Sequence, residues 1–363
     1  MRVGILGAGA VAFGTAAFLA EKGHEPLIWS PSGERTVRFS GGAPLLASGA
    51  IVGRFDVAVA DTCRQAVEDA DVVLVALPGY AHRATLEAAA PCIRSGQPLI
   101  ISSHMSFGAL YVSGLLRERG VQAPVIAWGT TLLTAVQPSL TEVQVVSVRA
   151  RIDIATLPEA SLDDALRVCM ALFGDRFVPR DGLLAIALSN LNPQNHLAIA
   201  LLNLTRMERG ESWRQSENVT PAVGRFIEAL DAERLAIARA CGVAVKTVRE
   251  HFSQSFHVPQ DSVFAMNQQM HRQGNATLGP KTADSRYVTE DVPFGLVATV
   301  QLARLCGVPA PLHEAGVAVL CVAYGRDFVR ENDLLRAIGF EALSLAQLRR
   351  LAQPRERAST SST

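Results

Sequence analysis

Lysine is nearly absent from this chain of 363 residues: Lys22, Lys246 and Lys281 are the only three, and arginine carries the rest of the positive charge. Any catalytic lysine would have to be one of them. Neither sign of charge is in excess, with 34 basic and 34 acidic side chains, so no global field favours nucleic acid or an anionic membrane surface as a partner. The six cysteines, Cys63, Cys92, Cys169, Cys241, Cys306 and Cys321, are scattered without a CxxC pair or a histidine-rich spacing. This predicts no metal site and leaves them as buried, reduced thiols. Long uninterrupted apolar runs are missing too. The most apolar long segment, residues 188–213, is broken by Asn, Pro and His, and the N-terminus opens on a strand without the basic stretch of a signal peptide. A cytoplasmic location with no membrane partner is the expectation.

What is present is the composition of a globular enzyme, 49% apolar and 19% charged, at a length that suggests two or three domains. The opening stretch MRVGILGAGAVAFGTAAFLAEKGHEPLIWS starts with a short β-type run, then Gly7, Gly9 and a helical pattern ending near Gly23. Gly7 permits the tight turn, Gly9 lets backbone amides approach a pyrophosphate, and Ala12, in the place of a third glycine, lets helix and strand pack closely. With Ala10 opening the helix, these four positions form the predicted cofactor-binding turn, where the helix N-terminus supplies a favourable field for phosphate. Buried strands at 72–76, in QPLIISS and in APVIAWGT alternate with helical stretches, as a doubly wound parallel sheet demands. The loops at the strands' carboxyl ends then border the cofactor, with Leu77 and Pro78 in one and residues 102–107 in another. His104, in the second loop, reads more as a solvated histidine than as a substrate contact. Residues 41–53 read as a mobile loop on the adenosine side. The second strand ends without an acidic reader for a ribose 2′-hydroxyl. Ser30 and Arg35 fit a 2′-phosphate instead, so NADP is expected ahead of NAD, with Glu34 the residue through which an NAD preference could be restored.

After the edge-strand-like stretch EVQVVSVRARIDIATL and a helix over 162–173, the pattern becomes nearly continuous helix near Val178. Val223, Phe226, Ile227, Leu230, Ile237 and Ala238 trace one face of a long amphipathic helix that Gly242 can cap. The predicted architecture is an α/β, Rossmann-type doubly wound parallel sheet over residues 1–180, followed by an all-α domain over 181–353 and a disordered polar tail at 354–363. Within the helical half, LSNLNPQNHLAIALLNLTRMERGESW places four asparagines and a histidine in a segment otherwise built to be buried. A buried amide without a partner costs roughly 1–3 kcal/mol, so each must find one. Asn192 followed by Pro193 predicts a helix start, with the amide as the cap. His196 then lies one turn in, on the same face as Asn192, and both become candidates to meet a ligand.

A second constellation, GPKTADSRYVTEDVPFGLVATVQLARLCGVPAPLHE, leads a polar front of Arg286, Glu290 and Asp291 through Pro293 into an apolar helix. Together with the N-terminal GxGxxA, the Asn-x-Asn-Pro-x-x-His of 190–196 and the Gly-Val-x-x-Pro of 307–311, it resembles the opine dehydrogenase family (octopine, nopaline and related enzymes) over almost the whole chain. The resemblance implies a Rossmann domain joined to a helical one, with hydride transfer in the cleft between them. It implies reductive condensation: an amino acid and a 2-oxo acid, the small-molecule partners, form an imine that NAD(P)H reduces. It also implies His196 as general acid/base, Asp291 as its partner and Arg286 as the residue that binds a substrate carboxylate. The physical roles agree, since a histidine exchanges protons near neutral pH, an aspartate fixes its tautomer, and an arginine fork grips a carboxylate. The residues alone leave two bland alternatives: Asp291 as a helix cap and Arg286 as a surface partner of Glu290.

The nearest rival is an NADP-dependent reductase of a plain 2-oxo acid or other carbonyl, because the same trio of side chains serves that reaction. Ketopantoate reductase and glycerol-3-phosphate dehydrogenase look similar in outline but rely on a lysine in the helical domain, and none stands before the asparagine cluster here. A rival of another class is a cofactor-binding sensor without chemistry, which would need none of His196, Asp291 or Arg286. The loop 207–213 carries no legible specificity motif, and a homodimer is compatible with the sequence but not fixed by it.

Overall fold

A computed structural model describes residues 1–352; the tail expected at 354–363 lies outside the described residues. The chain divides into a first unit of Met1–Ala187, rejoined from Ala346 onward, and a second unit of Leu188–Leu345. The expected domain boundary at 180/181 thus falls seven residues early, ahead of the apolar helix Gly182–Ser189. The closing helix Leu345–Ala352, with Leu348 and Ala352 fully buried, is counted with the α/β unit rather than with the helical one.

The strands in chain order are β1 (Arg2–Leu6), β2 (Glu25–Trp29), β3 (Leu45–Gly49), β4 (Gly53–Phe55), β5 (Ala58–Val59), β6 (Val72–Val75), β7 (Leu99–Ile101), β8 (Val125–Trp128), β9 (Leu133–Ser139), β10 (Glu142–Val148), β11 (Ile152–Leu157) and β12 (Phe177–Pro179). Eight of them form the main sheet, in the order β12-β11-β8-β7-β6-β1-β2-β5. Pairing is parallel throughout except that β11 runs antiparallel to β8. Strand order reverses between β1 and β6, which is the switch point where a doubly wound sheet opens a crevice at its carboxyl edge. The inner strands β6, β7 and β8 are buried along their whole length, in keeping with their unbroken apolar runs.

The other four strands form a separate sheet, β4-β3-β10-β9, and this overturns two expectations. Residues 41–53 are not a loop, because β3 pairs with β10 far along the chain. The stretch 142–157 is not one edge strand, because β10 belongs to the small sheet and β11 to the large one. The helix Ala10–Glu21 packs against strands of both sheets, and a Cβ on its Gly14 would come within 2.7 Å of Leu133 in β9. That sandwiching explains why the helix is apolar on nearly every side.

Regular structure in the second unit is helical among the described residues, apart from a single bridge between Arg214 and Leu278. Its longest helix is Pro221–Ala240, with Thr220 accepting from the Val223 amide at the start and Gly242 at φ 71° just past the end. Among the described residues no helix is long and apolar enough to cross a membrane.

Candidate active site

The glycine turn follows β1 and is shaped by backbone alone. Gly7 has φ 138°, and a Cβ there would sit 2.3 Å from the Ala76 carbonyl oxygen, so the turn closes against the end of β6 only without a side chain. Gly9 is different: a Cβ there would meet nothing within 4 Å. Gly9 begins the Ala10–Glu21 helix without any side-chain cap, and its carbonyl takes the first helical bond, from the Phe13 amide at 3.0 Å. The amides of Ala10, Val11 and Ala12 therefore end the helix with no intrahelical acceptor, beside open space, which is the donor set a dinucleotide pyrophosphate requires. Ala12 is fully buried and Ala10 half-buried. Leu77 and Pro78 follow β6 on the other side of the switch point, where Pro78 precedes the helix Gly79–Ala89 and the Leu77 carbonyl accepts from His82 Nε2 at 2.9 Å. A Cβ on Gly7 would also lie 3.3 Å from Leu77 Cδ2, so the two loops adjoin.

Past β2, Ser30 is half-buried and Arg35 exposed, the latter donating from Nη1 to Gln137 Oε1 at 3.3 Å. Glu34 is exposed as well. His104 departs from the solvated loop position expected of it. It is 2% exposed, neither ring nitrogen has a hydrogen-bond partner among the described residues, and burial, followed by nearby His82, pushes its pKa down to about 3.

The second group of candidates is assembled from distant parts of the helical unit. His196 lies in the helix Asn192–Leu202, and its Nδ1 is 2.6 Å from Oδ2 of Asp291, 95 residues away. Both are mostly buried, at 17% and 12% side-chain exposure, so the pair is shielded without being sealed. Two glycines seat the histidine helix. A Cβ on Gly295 would come within 2.4 Å of Pro193 Cγ, and one on Gly316 within 2.6 Å of Leu197 Cδ2, gripping the helix just before and just after His196. Asp291 is followed by a π turn over Val292–Leu296, and its side chain caps no helix. The Pro293 carbonyl in this wide turn accepts from buried Asn332 Nδ2 at 2.7 Å. The capping alternative for Asp291 is thereby replaced by a bond to the imidazole.

Other expectations need correcting. Asn192 is exposed and makes no capping bond; Leu191 already has near-helical torsions, and the Oδ1 of Asn190 accepts from the Asn192 amide at 3.1 Å instead. Asn203 bonds its own helix, donating to the Ile199 carbonyl at 2.9 Å, whereas the buried amide oxygens of Gln194 and Asn195 lack a partner among the described residues. Arg286 is 73% exposed and its Nε donates to Glu290 Oε2, so the surface pair weighed against a carboxylate clamp is present.

Tyr287 was not legible as a site residue. Its ring stacks on His196 with centroids 3.5 Å apart, and its hydroxyl donates to Gln215 Oε1 at 2.6 Å. The available signal was its position four residues before Asp291, a spacing that puts two side chains on one helical face.

Comparison with known proteins extends over both halves. A family model described as NAD/NADP octopine/nopaline dehydrogenase, alpha-helical domain, matches residues 179–324. One described as NADP oxidoreductase, coenzyme F420-dependent, matches residues 2–103. The opine dehydrogenase of Arthrobacter sp. (strain 1C) is 31% identical over 356 residues, which is 95% of this chain and 97% of that protein. Among solved structures, octopine dehydrogenase with NADH and L-arginine superposes with a TM-score of 0.80 at 15% identity, covering 98% of this chain and 99% of that one. Yersinopine dehydrogenase with NADP+ bound does so with a TM-score of 0.71 at 16% identity, covering 96% and 98%. At such identities the structural likeness is one of fold.

Proposed function

The chain belongs to the opine dehydrogenase family, and we propose that it condenses the amine of an amino acid with a 2-oxo acid and reduces the resulting imine, the reverse reaction oxidising the secondary amine. It is an NAD(P)-dependent dehydrogenase of the class that acts on CH–NH donors. The observation that carries the residue-level reading is the 2.6 Å bond between His196 Nδ1 and Asp291 Oδ2.

With Nδ1 committed to the carboxylate, Nε2 is the nitrogen that exchanges a proton with substrate. In our reading it takes a proton from the substrate ammonium and so frees the amine to attack; one nitrogen proton of the adduct then passes to the former carbonyl oxygen, and Nε2 returns its own proton to that hydroxyl, which departs as water and leaves a protonated imine. Asp291 holds the tautomer and compensates the imidazolium while that proton is in residence. NAD(P)H, which the turn from Gly7 to Ala12 would hold, would supply the hydride that the imine carbon accepts as the C=N π pair becomes the amine lone pair. Arg286, its guanidinium oriented by Glu290, meets a substrate carboxylate, and exposed Asn192, one turn before His196 on the same face, offers an amide to the same substrate. For the cofactor we favour NADP, because Ser30 and Arg35 stand where an NAD enzyme places an acid.

Oxidation of NADPH and NADH, followed in the presence of paired amino acids and 2-oxo acids, tests the reading. A His196→Ala variant is expected to lose roughly 10²- to 10⁴-fold in kcat while cofactor fluorescence is quenched as before. Turnover of a 2-oxo acid at the same rate with no amine present would replace the condensation by simple carbonyl reduction.

A further inference from the structure

Hydrogen bonding to Asp291 constrains one atom of the His196 ring. A ring held at Nδ1 alone keeps its bond while tilting about it, and with each tilt the direction of Nε2 changes. Proton transfer needs that direction fixed, because donor and acceptor must be in line within hydrogen-bond reach.

The second constraint lies on the face of the ring. Tyr287 is nearly parallel to the imidazole, with planes 10° apart and centroids 3.5 Å apart, so the two rings are in van der Waals contact over their faces. The tyrosine is itself tied at its far end. Its hydroxyl donates to Gln215 Oε1 at 2.6 Å, and burial, followed by the charge of Asp291, pushes the phenol up to about 12, so it stays a donor across the working range of a histidine. The backbone of Gln215 is held in turn, since its main-chain N–H donates to the Thr277 carbonyl at 2.9 Å. Two residues earlier, the Trp213 carbonyl accepts from the Gly279 amide at 2.9 Å, and Trp213 Nε1 donates to the Pro280 carbonyl at 3.2 Å. A Cβ on Gly279 would lie 2.4 Å from the Trp213 ring, so this clamp is closely packed.

We infer that Tyr287 is a positioning residue for the acid/base histidine: anchored by Gln215, its ring holds the plane of His196 so that Nε2 keeps one direction toward substrate. This rests on the acid/base role proposed for His196. Asp291 fixes which nitrogen carries the proton, and Tyr287 fixes where the other nitrogen points.

Three variants and two readouts separate the possibilities. Tyr287→Phe keeps the stacked ring and loses the anchor, whereas Tyr287→Leu loses the ring. In NMR spectra of the cofactor-free protein, the His196 ring protons should show an upfield ring-current shift that survives in Tyr287→Phe and vanishes in Tyr287→Leu. In turnover, Tyr287→Leu should lower kcat about tenfold to a hundredfold with the KM for nicotinamide cofactor unchanged, and Tyr287→Phe should restore most of the loss. Gln215→Leu, which leaves both rings in place, should fall close to Tyr287→Phe. Wild-type kcat in Tyr287→Leu despite a vanished ring-current shift overturns the inference, as does a Tyr287→Phe variant as impaired as Tyr287→Leu with its stack intact. If instead the wild-type protein turns over no amino acid and 2-oxo acid pair, the reaction proposed above fails, while the NMR readout still decides whether Tyr287 sets the plane of the ring.

Discussion

The glycine turn of the first unit and the histidine helix of the second reach their chemistry by opposite means. In the turn the groups we propose for cofactor binding are the backbone amides of three consecutive residues, Ala10 to Ala12, and what matters is the absence of side chains at Gly7 and Gly9. In the helical unit the groups proposed for proton transfer are side chains from 95 residues apart, and small residues let the helices close: Gly295 against Pro193, Gly316 against Leu197. A backbone site is written locally and tolerates little change within its few positions. A side-chain site is written in the packing, and can be disturbed from positions that touch no substrate.

The largest effects should come from the turn, where two glycines separate folding from binding. Gly7→Ala would place a Cβ 2.3 Å from the Ala76 carbonyl at φ 138°, and backbone cannot move aside as a side chain can. We expect destabilisation on the order of several kcal/mol, a fall in melting temperature of about 10 °C, and loss of cofactor binding. Gly9→Ala meets nothing in the protein, so the melting temperature should hold while NADPH binding weakens by about a hundredfold, because the methyl takes the space of the pyrophosphate. Equal melting losses in the two variants would mean that Gly9, too, is a folding residue.

Next in size is the packing that sets the proposed acid/base pair. Gly295→Ala drives a Cβ to within 2.4 Å of the Pro193 ring, which has no rotamer to yield with. The helix should shift by some tenths of an ångström, and kcat should fall about tenfold to a hundredfold with cofactor affinity intact. Gly316→Ala meets the tip of Leu197, at 2.6 Å from Cδ2, and a leucine can rotate, so its loss should be several times smaller. A Gly295→Ala enzyme with normal kcat would show that His196 and Asp291 tolerate the displacement.

The same contrast explains what could be read from the sequence. The turn, the parallel sheet and the helix Leu162–Phe173 follow from local periodicity and are found where expected. The small sheet was not legible, because β3, Leu-Leu-Ala-Ser-Gly, holds no β-branched or aromatic residue and finds its partner β10 about a hundred positions later; nothing local distinguishes such a strand from a loop. In the helical unit the motif residues His196 and Asp291 could be named, but not their contact, which depends on two glycines that look like ordinary helix residues. Asn192 was misread as the cap because Asn190, two residues earlier, offers the same side chain, and the choice turns on the torsions of Leu191.

Smaller effects should follow at the edge of the cofactor turn. Arg35 is exposed beyond β2 and, among the described residues, its guanidinium donates to Gln137. Arg35→Ala is expected to raise the KM for NADPH about tenfold and leave that for NADH unchanged, since a 2′-phosphate loses a charged partner and a 2′-hydroxyl does not. Equal change for both cofactors would return Arg35 to the role of a surface residue.

The gentlest test compares the two histidines themselves, His196 bonded to a carboxylate and His104 with no hydrogen-bond partner for its ring among the described residues. His104 is buried, and its pKa is pushed down to about 3, so it holds no charge in the folded chain near neutral pH. Above an unfolded pKa of about 6.5 the ring is neutral in both states and contributes nothing to pH dependence. Below that value the unfolded chain takes up a proton that the folded chain refuses until about pH 3. Stability is therefore lost as pH falls through this window, by about 1.4 kcal/mol per pH unit. Replacing the ring by leucine removes the proton acceptor without removing any hydrogen bond that the ring makes within the described residues. Urea unfolding between pH 6 and 4.5 should then show a shallower decline for His104→Leu than for the parent, whatever the two stabilities are at pH 8. Parallel declines would mean that His104 is protonated in the folded protein after all, and that the loop after β7 opens to water where the structure closes it.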